Sequence, residues 1–160
     1  MRKQKIYLDT SAVSYLDATD TPEKMDDTLA FWEILRKNNY QVIISNITVA
    51  EISKCVEPKR SFLLEKLNEI EYKIIEENDD TLSLAESYLK HGVLKNRNKD
   101  DLRHISVATI AECDYIISWN FKHFVNVKTI NRVLSVNKLL NYKEIMIIPP
   151  TMLTGGDEDE

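Results

Sequence analysis

The chain has 160 residues, 43% of them hydrophobic and 29% charged, which suits one compact domain with a substantial core. Its three glycines, Gly92, Gly155 and Gly156, allow neither a G-x-G-x-x-G turn nor a Walker loop. The usual dinucleotide and P-loop nucleotide sites are therefore excluded. The net charge of −5 argues against a protein that coats nucleic acid through bulk charge, but it does not exclude a local basic face.

The two cysteines and the N-terminus indicate a cellular compartment. Cys55 and Cys113 are far apart in sequence and lack C-x-x-C spacing, so we expect reduced thiols rather than a disulfide framework or a zinc site. The apolar stretch after the basic N-terminus is interrupted at Asp9, which is too early for a signal peptide. No run approaches the roughly 20 apolar residues that a bilayer span needs. These features predict a cytoplasmic protein without a membrane segment.

Short apolar runs that end at polar residues predict five buried strands. In chain order they cover residues 6–8, 42–44, 72–75, 115–117 and 145–148. Apolar residues at helical spacing predict helices between the strands. These helices run through residues 25–35, 62–70, 82–89, 99–112 and 130–140. The alternation of strands and helices is typical of an α/β fold built on a parallel sheet.

Boundary signals define the helix at residues 82–89 and the extent of the domain. We expect Asp80 to cap this helix and Gly92 to end it. No repeat or long linker divides the chain, so one domain is predicted over residues 1–150. Residues 151–160 are interpreted as an acidic tail without ordered structure.

Oxygen-bearing side chains lie where a parallel sheet binds ligands, at the carboxyl ends of its strands. Asp9 ends the first strand, Glu51 lies one turn into the helix after the second, and Asn120 follows the fourth. Asp101 opens the helix before the fourth strand. Each has an ordinary alternative: a helix cap for the aspartates, a solvated helix face for Glu51 and a turn for Asn120. Together they suit Mg²⁺ or Mn²⁺, which prefer oxygen ligands.

Four segments around these residues resemble the PIN-domain family, in particular the small single-domain bacterial nucleases that include VapC-type toxins. The segments are Tyr7-Leu8-Asp9-Thr10-Ser11, Ala50-Glu51-Ile52, Asp101 three residues before His104, and Ser118-Trp119-Asn120-Phe121-Lys122-His123. They span about residues 5 to 148. The resemblance implies a three-layer α/β sandwich, with a five-stranded parallel sheet flanked by helices. It also implies an acidic pocket that binds Mg²⁺ or Mn²⁺ and cuts RNA.

The resemblance also assigns roles to individual residues. Asp9, Glu51 and Asp101 match the first three acidic positions of the family's pocket and are the implied metal ligands. The fourth position, usually Asp, is Asn120 here, which keeps an oxygen but removes one negative charge. Because a subset of the family is similar in carrying Trp-Asn there, all four are predicted as catalytic. His104 is expected to be structural, since no nucleophile partners it.

Positive charge is concentrated in one part of the chain. Residues 90–143 contain ten Lys or Arg against four acids, a balance of +6, while the remaining residues carry −11. Basic residues border the predicted pocket and can pair with phosphates, unless they belong only to a solvated surface. The predicted RNA contacts are Thr10, Ser11, Lys95, Arg97, Lys99 and Lys122, the first two having an alternative as ordinary helix N-terminal residues.

Aromatic residues have two interpretations each. Tyr88, Trp119 and Phe121 are candidates for base stacking, with core packing as the ordinary alternative. Phe31 and Trp32 would permit a homodimer if exposed, and otherwise belong to the core.

The resemblance implies a metal-dependent endoribonuclease, the toxin of a type II toxin–antitoxin pair, with an antitoxin that would block its pocket. The alternative is a catalytically weak PIN-fold module that binds RNA or protein without cutting. A phosphatase of the haloacid dehalogenase type is disfavoured, because that chemistry requires an Asp two residues after Asp9 and this chain has Ser11.

Overall fold

The structure is a computed structural model that describes residues 2–155. Its strands are β1 (Gln4–Leu8), β2 (Tyr40–Ser45), β3 (Lys73–Ile75), β4 (Tyr115–Ile117) and β5 (Met146–Ile148). Its helices are α1 (Thr10–Ser14), α2 (Pro22–Arg36), α3 (Asn46–Ser53), α4 (Lys59–Leu67), α5 (Asp79–Lys90), α6 (Lys99–Ile110), α7 (Val127–Leu139) and α8 (Thr151–Thr154). Every predicted strand is present, and no strand end differs from the prediction by more than two residues.

The five strands form one parallel sheet in the order β3-β2-β1-β4-β5. The chain builds outward from β1 to β2 and β3, and then crosses to the other side of β1 to add β4 and β5. This reversal opens a crevice at the carboxyl ends of β1 and β4, where ligands bind in open parallel sheets. Since Leu8 pairs with Ile117, the next residues, Asp9 and Ser118, leave the sheet side by side at this crevice.

Side-chain alternation along the strands separates two apolar cores, one on each face of the sheet. On one face Tyr7, Ile43 and Ile116 pack with residues of α5, α6 and α7. On the other face Ile6 and Ile44 pack with residues of α1, α2 and α4. Because both faces are covered, the strands are apolar at successive positions rather than at alternate ones. The predicted three-layer α/β architecture is confirmed.

The structure corrects the predicted cap of α5 and confirms where the helix ends. The cap of α5 is Asn78, whose side chain accepts a hydrogen bond from Thr81 N while Thr81 Oγ1 accepts one from Asn78 N. Asp80 lies in the first turn instead. Gly92 does end this helix, and its φ of +74° is a conformation that side chains rarely adopt.

The predicted tail begins too early. Thr151–Thr154 form α8, which packs against α2, so these residues belong to the folded domain. The acidic residues of the predicted tail, within 156–160, lie outside the described residues.

Several side chains with two interpretations prove to be core residues. Phe31 and Trp32 are 0% and 1% exposed, and Trp32 Nε1 donates to Lys66 O at 2.9 Å, so neither is available for a dimer interface. Tyr88 is buried, with its hydroxyl bonded to Asn137 Oδ1 at 2.5 Å. A homodimer therefore stays a prediction, and its interface would not include Phe31 or Trp32.

Cys55 and Cys113 are both free thiols. Burial raises the pKa of the Cys113 thiol to about 12, so it stays protonated at neutral pH. Among residues 2–155, none of the helices combines the length and apolarity that a membrane crossing requires.

Candidate functional site

Asp9 lies immediately after β1 and is only 5% exposed. It occupies the N-cap position of α1, yet among the described residues its carboxylate makes no capping hydrogen bond. Instead Oδ2 accepts from Ser11 Oγ at 2.8 Å and from Ser118 Oγ at 2.7 Å. The capping alternative therefore does not account for this buried charge. The carboxylate is held by two hydroxyl groups at the switch between β1 and β4.

Ser11 and Ser118 also fix the backbone of the segment after β4. Ser11 Oγ accepts from Trp119 N at 2.9 Å, and Ser118 Oγ accepts from Asn120 N at 3.0 Å. These backbone groups lie beyond the end of the strand and need partners of another kind. Each serine therefore joins Asp9 to this segment. No role for Ser118 was predicted from the sequence. The available signal was its position: Ser118 directly follows β4, just as Asp9 directly follows the neighbouring strand β1.

Glu51, on α3, is turned toward the same crevice rather than toward open solvent. Its Oε1 accepts from Thr10 Oγ1 at 3.0 Å and pairs with His104 Nε2 at 2.5 Å. His104 is 1% exposed, and its Nδ1 lies 2.5 Å from Tyr7 Oη. His104 Nε2 also lies 3.9 Å from Asp9 Oδ1. The histidine is thus buried, as a structural role requires, but it touches the candidate site directly.

The charges around His104 favour its protonated form. Burial by itself lowers the pKa of His104, but the hydrogen bond to Glu51 and the charges of Asp9, Glu51 and Asp101 outweigh burial and raise the pKa. Burial likewise acts to raise the pKa of Glu51, and the hydrogen bonds and charge of its partners lower it overall. The surrounding carboxylates thus shift the equilibrium of His104 toward its protonated form.

Tyr7 completes this buried chain of hydrogen bonds. Burial raises the pKa of its hydroxyl far above the usual range, so the phenol is neutral. Tyr7 Oη and His104 Nδ1 share a hydrogen bond, and when His104 is protonated Nδ1 is its donor, because both nitrogens of an imidazolium donate. The Tyr7 hydroxyl proton is then free to go to Ser45 Oγ, which lies 2.7 Å away. Strand β1 therefore orients His104 through Tyr7 and holds Asp9 at its end.

Asp101 lies in the first turn of α6, and its Oδ2 pairs with His123 Nδ1 at 2.8 Å. Burial raises the pKa of Asp101, and the nearby charge of Asp9 adds to that effect, while the hydrogen bond from His123 only partly opposes it. Asn120 Oδ1 accepts from His123 N at 2.9 Å. The predicted fourth site residue therefore shapes the loop that brings His123 to Asp101. His123 ends the fourth segment that resembles the PIN-domain family, but no role for it was predicted from the sequence.

The carboxylates suit a hard divalent cation with an incomplete protein shell. Among residues 2–155, no three His, Cys, Asp or Glu side chains converge closely enough to hold a metal by themselves. Mg²⁺ often binds through one or two carboxylates, with water and substrate oxygens as the other ligands. Asp9 and Asp101 fit this pattern, since burial and the nearby charge of Asp9 raise the pKa of Asp101 and a cation would offset both effects. Glu51 Oε1 is already engaged by Thr10 and His104.

A basic cavity of about 470 Å³ adjoins this site. Its charged lining residues are Lys95, Arg97, Lys122, Lys128 and Arg132. His123 lines it too, so the residue that contacts Asp101 also belongs to the cavity. Within the part of the chain that the structure describes, no acidic residue lines it. Lys99, a predicted RNA contact, lines a different cavity between α5 and α6.

Comparison with known proteins identifies a solved structure that shares this fold. No protein-family profile matches the sequence, and no curated protein is significantly similar. Among solved structures, the chain is similar to one in the crystal structure of VapBC2 from Rickettsia felis bound to a DNA fragment from their promoter. The TM-score is 0.56 and the identity 19%, over 91% of this chain and 98% of that chain. This likeness establishes a shared fold and supports the fold that the PIN-domain resemblance implied.

Proposed function

We propose that the protein is a metal-dependent endoribonuclease that hydrolyses RNA phosphodiester bonds at the crevice between β1 and β4. The observation that carries this proposal is the state of Asp9, a buried carboxylate that caps no described helix and is held by Ser11 and Ser118. Asp9, Glu51 and Asp101 all lie close enough to His104 for their charges to raise its pKa. Burying the Asp9 carboxylate near two further, partly exposed carboxylates is costly for folding, and such an arrangement is typical of sites that bind or act on charged groups.

Asp9 and Asp101 would hold Mg²⁺ or Mn²⁺. The cation would supply a water of lowered pKa and positive charge for the phosphate oxygens. The chain's own contribution is to fix the surrounding groups: two serines hold Asp9, and His123 holds Asp101. His104 and Thr10 hold the carboxylate of Glu51, which is placed to accept a hydrogen bond from a water or to join the ligands.

The basic cavity supports RNA as the substrate. Lys95, Arg97 and Lys122 were predicted from their sequence positions, and the fold adds Lys128 and Arg132 from α7. Phosphates paired with these side chains would release counterions, so binding should weaken steeply with salt. The strand would then pass His123 and reach the carboxylates.

We also propose that the protein is the toxin of a toxin–antitoxin pair. Support comes from the fold that it shares with a chain of the VapBC2 structure. A partner would inhibit the site most directly by placing an arginine among Asp9, Glu51 and Asp101, because a guanidinium pairs with carboxylates through two hydrogen bonds.

The test compares cleavage of structured RNA, with Mn²⁺ or Mg²⁺, by the wild-type chain and by Asp9→Asn. Cleavage should be lost in this variant and in EDTA, while thermal unfolding shows an intact fold. Asp100→Asn is the matched control, since Asp100 is exposed on the same helix as Asp101 and pairs only with Arg103 among the described residues. Titration with Mn²⁺ gives a readout independent of cleavage. Undiminished cleavage by Asp9→Asn would refute the proposal.

A binding module without catalysis is the second candidate. It is favoured by Asn120, which replaces a carboxylate and whose oxygen is occupied by its own loop. This alternative predicts RNA or partner binding that is insensitive to EDTA, with no cleavage under any metal condition.

A further inference from the structure

Three aromatic rings and one lysine meet beside the candidate site. The aromatic cluster consists of Tyr15, Trp119 and Phe121, with ring centroids 6.1 Å apart for the first pair and 6.3 Å apart for the second. Lys24 Nζ, from α2, lies 5.7 Å from the Tyr15 centroid, 5.8 Å from that of Trp119 and 5.4 Å from that of Phe121. All three distances fall within the range of cation–π attraction.

The cluster lines a cavity of about 370 Å³ whose other lining residues belong to the candidate site. Ser11 and Asn120 line it, and these residues hold Asp9 and His123 respectively. Lys122 lines both this cavity and the basic cavity. The two cavities therefore adjoin at Lys122, and an RNA strand bound in the basic cavity can continue to the aromatic cluster.

Core packing explains only part of the cluster. Trp119 is 6% exposed, and its Nε1 donates to Thr28 Oγ1 at 2.8 Å, which fixes the indole. Phe121 rests against this fixed ring but remains 46% exposed. An exposed ring on a rigid support, with an ammonium group beside it, offers a stacking face and a charge together. A nucleotide has the matching pair, a base and a phosphate.

We propose that the aromatic cluster is a nucleotide subsite for single-stranded RNA next to the scissile phosphate. Phe121 stacks on the base, Trp119 holds Phe121 in place, and Lys24 pairs with the nucleotide's phosphate. The base must be unpaired, because a base inside a duplex has no free face to offer. The substrate class rests on the proposed function, and the new element is a base-contacting position that sets where a strand is cut.

The experiment measures binding of short single-stranded RNAs to the full chain in an Asp9→Asn background, which separates binding from cleavage. Phe121→Ala and Phe121→Leu should weaken binding by about 5- to 150-fold, the range that corresponds to stacking one base. Phe121→Trp should restore it, because the indole keeps a stacking face. Leu82→Ala is the matched control, since Leu82 is 47% exposed on α5, away from this cavity, and should bind as the background does.

Modified RNAs determine which nucleotide of the strand contacts Phe121. An abasic nucleotide placed at successive positions should remove the effect of Phe121→Ala at one position only. 2-Aminopurine at that position should be quenched on binding, and the quenching should disappear in Phe121→Ala. Lys24→Ala should reduce the slope of log affinity against log salt by about one. Thermal unfolding checks that each variant folds.

The possible outcomes separate this proposal from the proposed function. If the wild-type chain cleaves RNA and Phe121→Ala binds every RNA as well as the background does, the subsite is refuted and the nuclease stands. That result would favour a protein partner as the ligand of the cluster. If the wild-type chain cleaves nothing but quenching depends on Phe121, the proposed nuclease function fails, and the cluster is supported as a nucleotide subsite but not as one that sets a cleavage position.

Discussion

Replacing Ser118 by alanine tests how the site is built. Ser118 is buried, and its hydroxyl donates to Asp9 Oδ2 at 2.7 Å and accepts from Asn120 N at 3.0 Å. A hydrogen bond to a charged group contributes about 1.5–3 kcal/mol and a neutral one about 1 kcal/mol. Ser118→Ala should therefore lower the free energy of unfolding by about 3 kcal/mol. For a domain of this size, that corresponds to roughly 6–12 °C in Tm.

The same change should loosen Asp9, since only Ser11 among the described residues would still donate to it. Groups that orient metal ligands typically affect affinity or activity by about 10–100-fold, which is the loss expected in Mn²⁺ affinity and in cleavage. Ser106→Ala is the control. Ser106 is equally buried and donates to Thr81 O, remote from the carboxylates, so it should lose stability but keep Mn²⁺ affinity.

Urea unfolding and Mn²⁺ titration on the three proteins give both quantities. If Ser118→Ala matched Ser106→Ala in Mn²⁺ affinity, the idea that the serine positions Asp9 would be wrong.

Two further predictions concern the substrate surface and the fold. Lys128→Ala should weaken RNA binding and lower the slope of log affinity against log salt concentration by about one. Lys138→Ala, at the exposed far end of α7, should change neither quantity. Equal slopes for the two variants would show that the basic cavity does not contact RNA. The Arg103 guanidinium holds the pKa of Glu77 below its usual range, so this stabilisation is present at neutral pH and is lost as pH falls through the folded-state pKa. Glu77→Gln should cost about 1 kcal/mol at pH 7 and almost nothing in strong acid, and a pH-independent difference in urea unfolding would contradict this.

The sequence alone determined the layers and the edge of the sheet where the candidate site lies. Apolar runs that end at Asp9 and before Ser118 identify strands covered on both faces, because a strand with one wet face would alternate. Parallel strands place their carboxyl ends together, so polar residues there were predicted to meet. These inferences depend on patterns of neighbouring residues, which can be read from the sequence without knowing the tertiary structure.

Only the tertiary structure decided which groups each polar residue contacts. A cap and a site residue were equally compatible with the local sequence of Asp9, and the deciding hydrogen bond comes from Ser118, 109 residues away. The role of His104 depended on Glu51, 53 residues away, and that of His123 on Asp101 across the loop after β4. Phe31 and Phe121 are both aromatic residues in mixed segments, yet one is core and the other half-exposed. Such pairings follow from the order of strands around β1, which joins distant segments and is encoded in no local pattern.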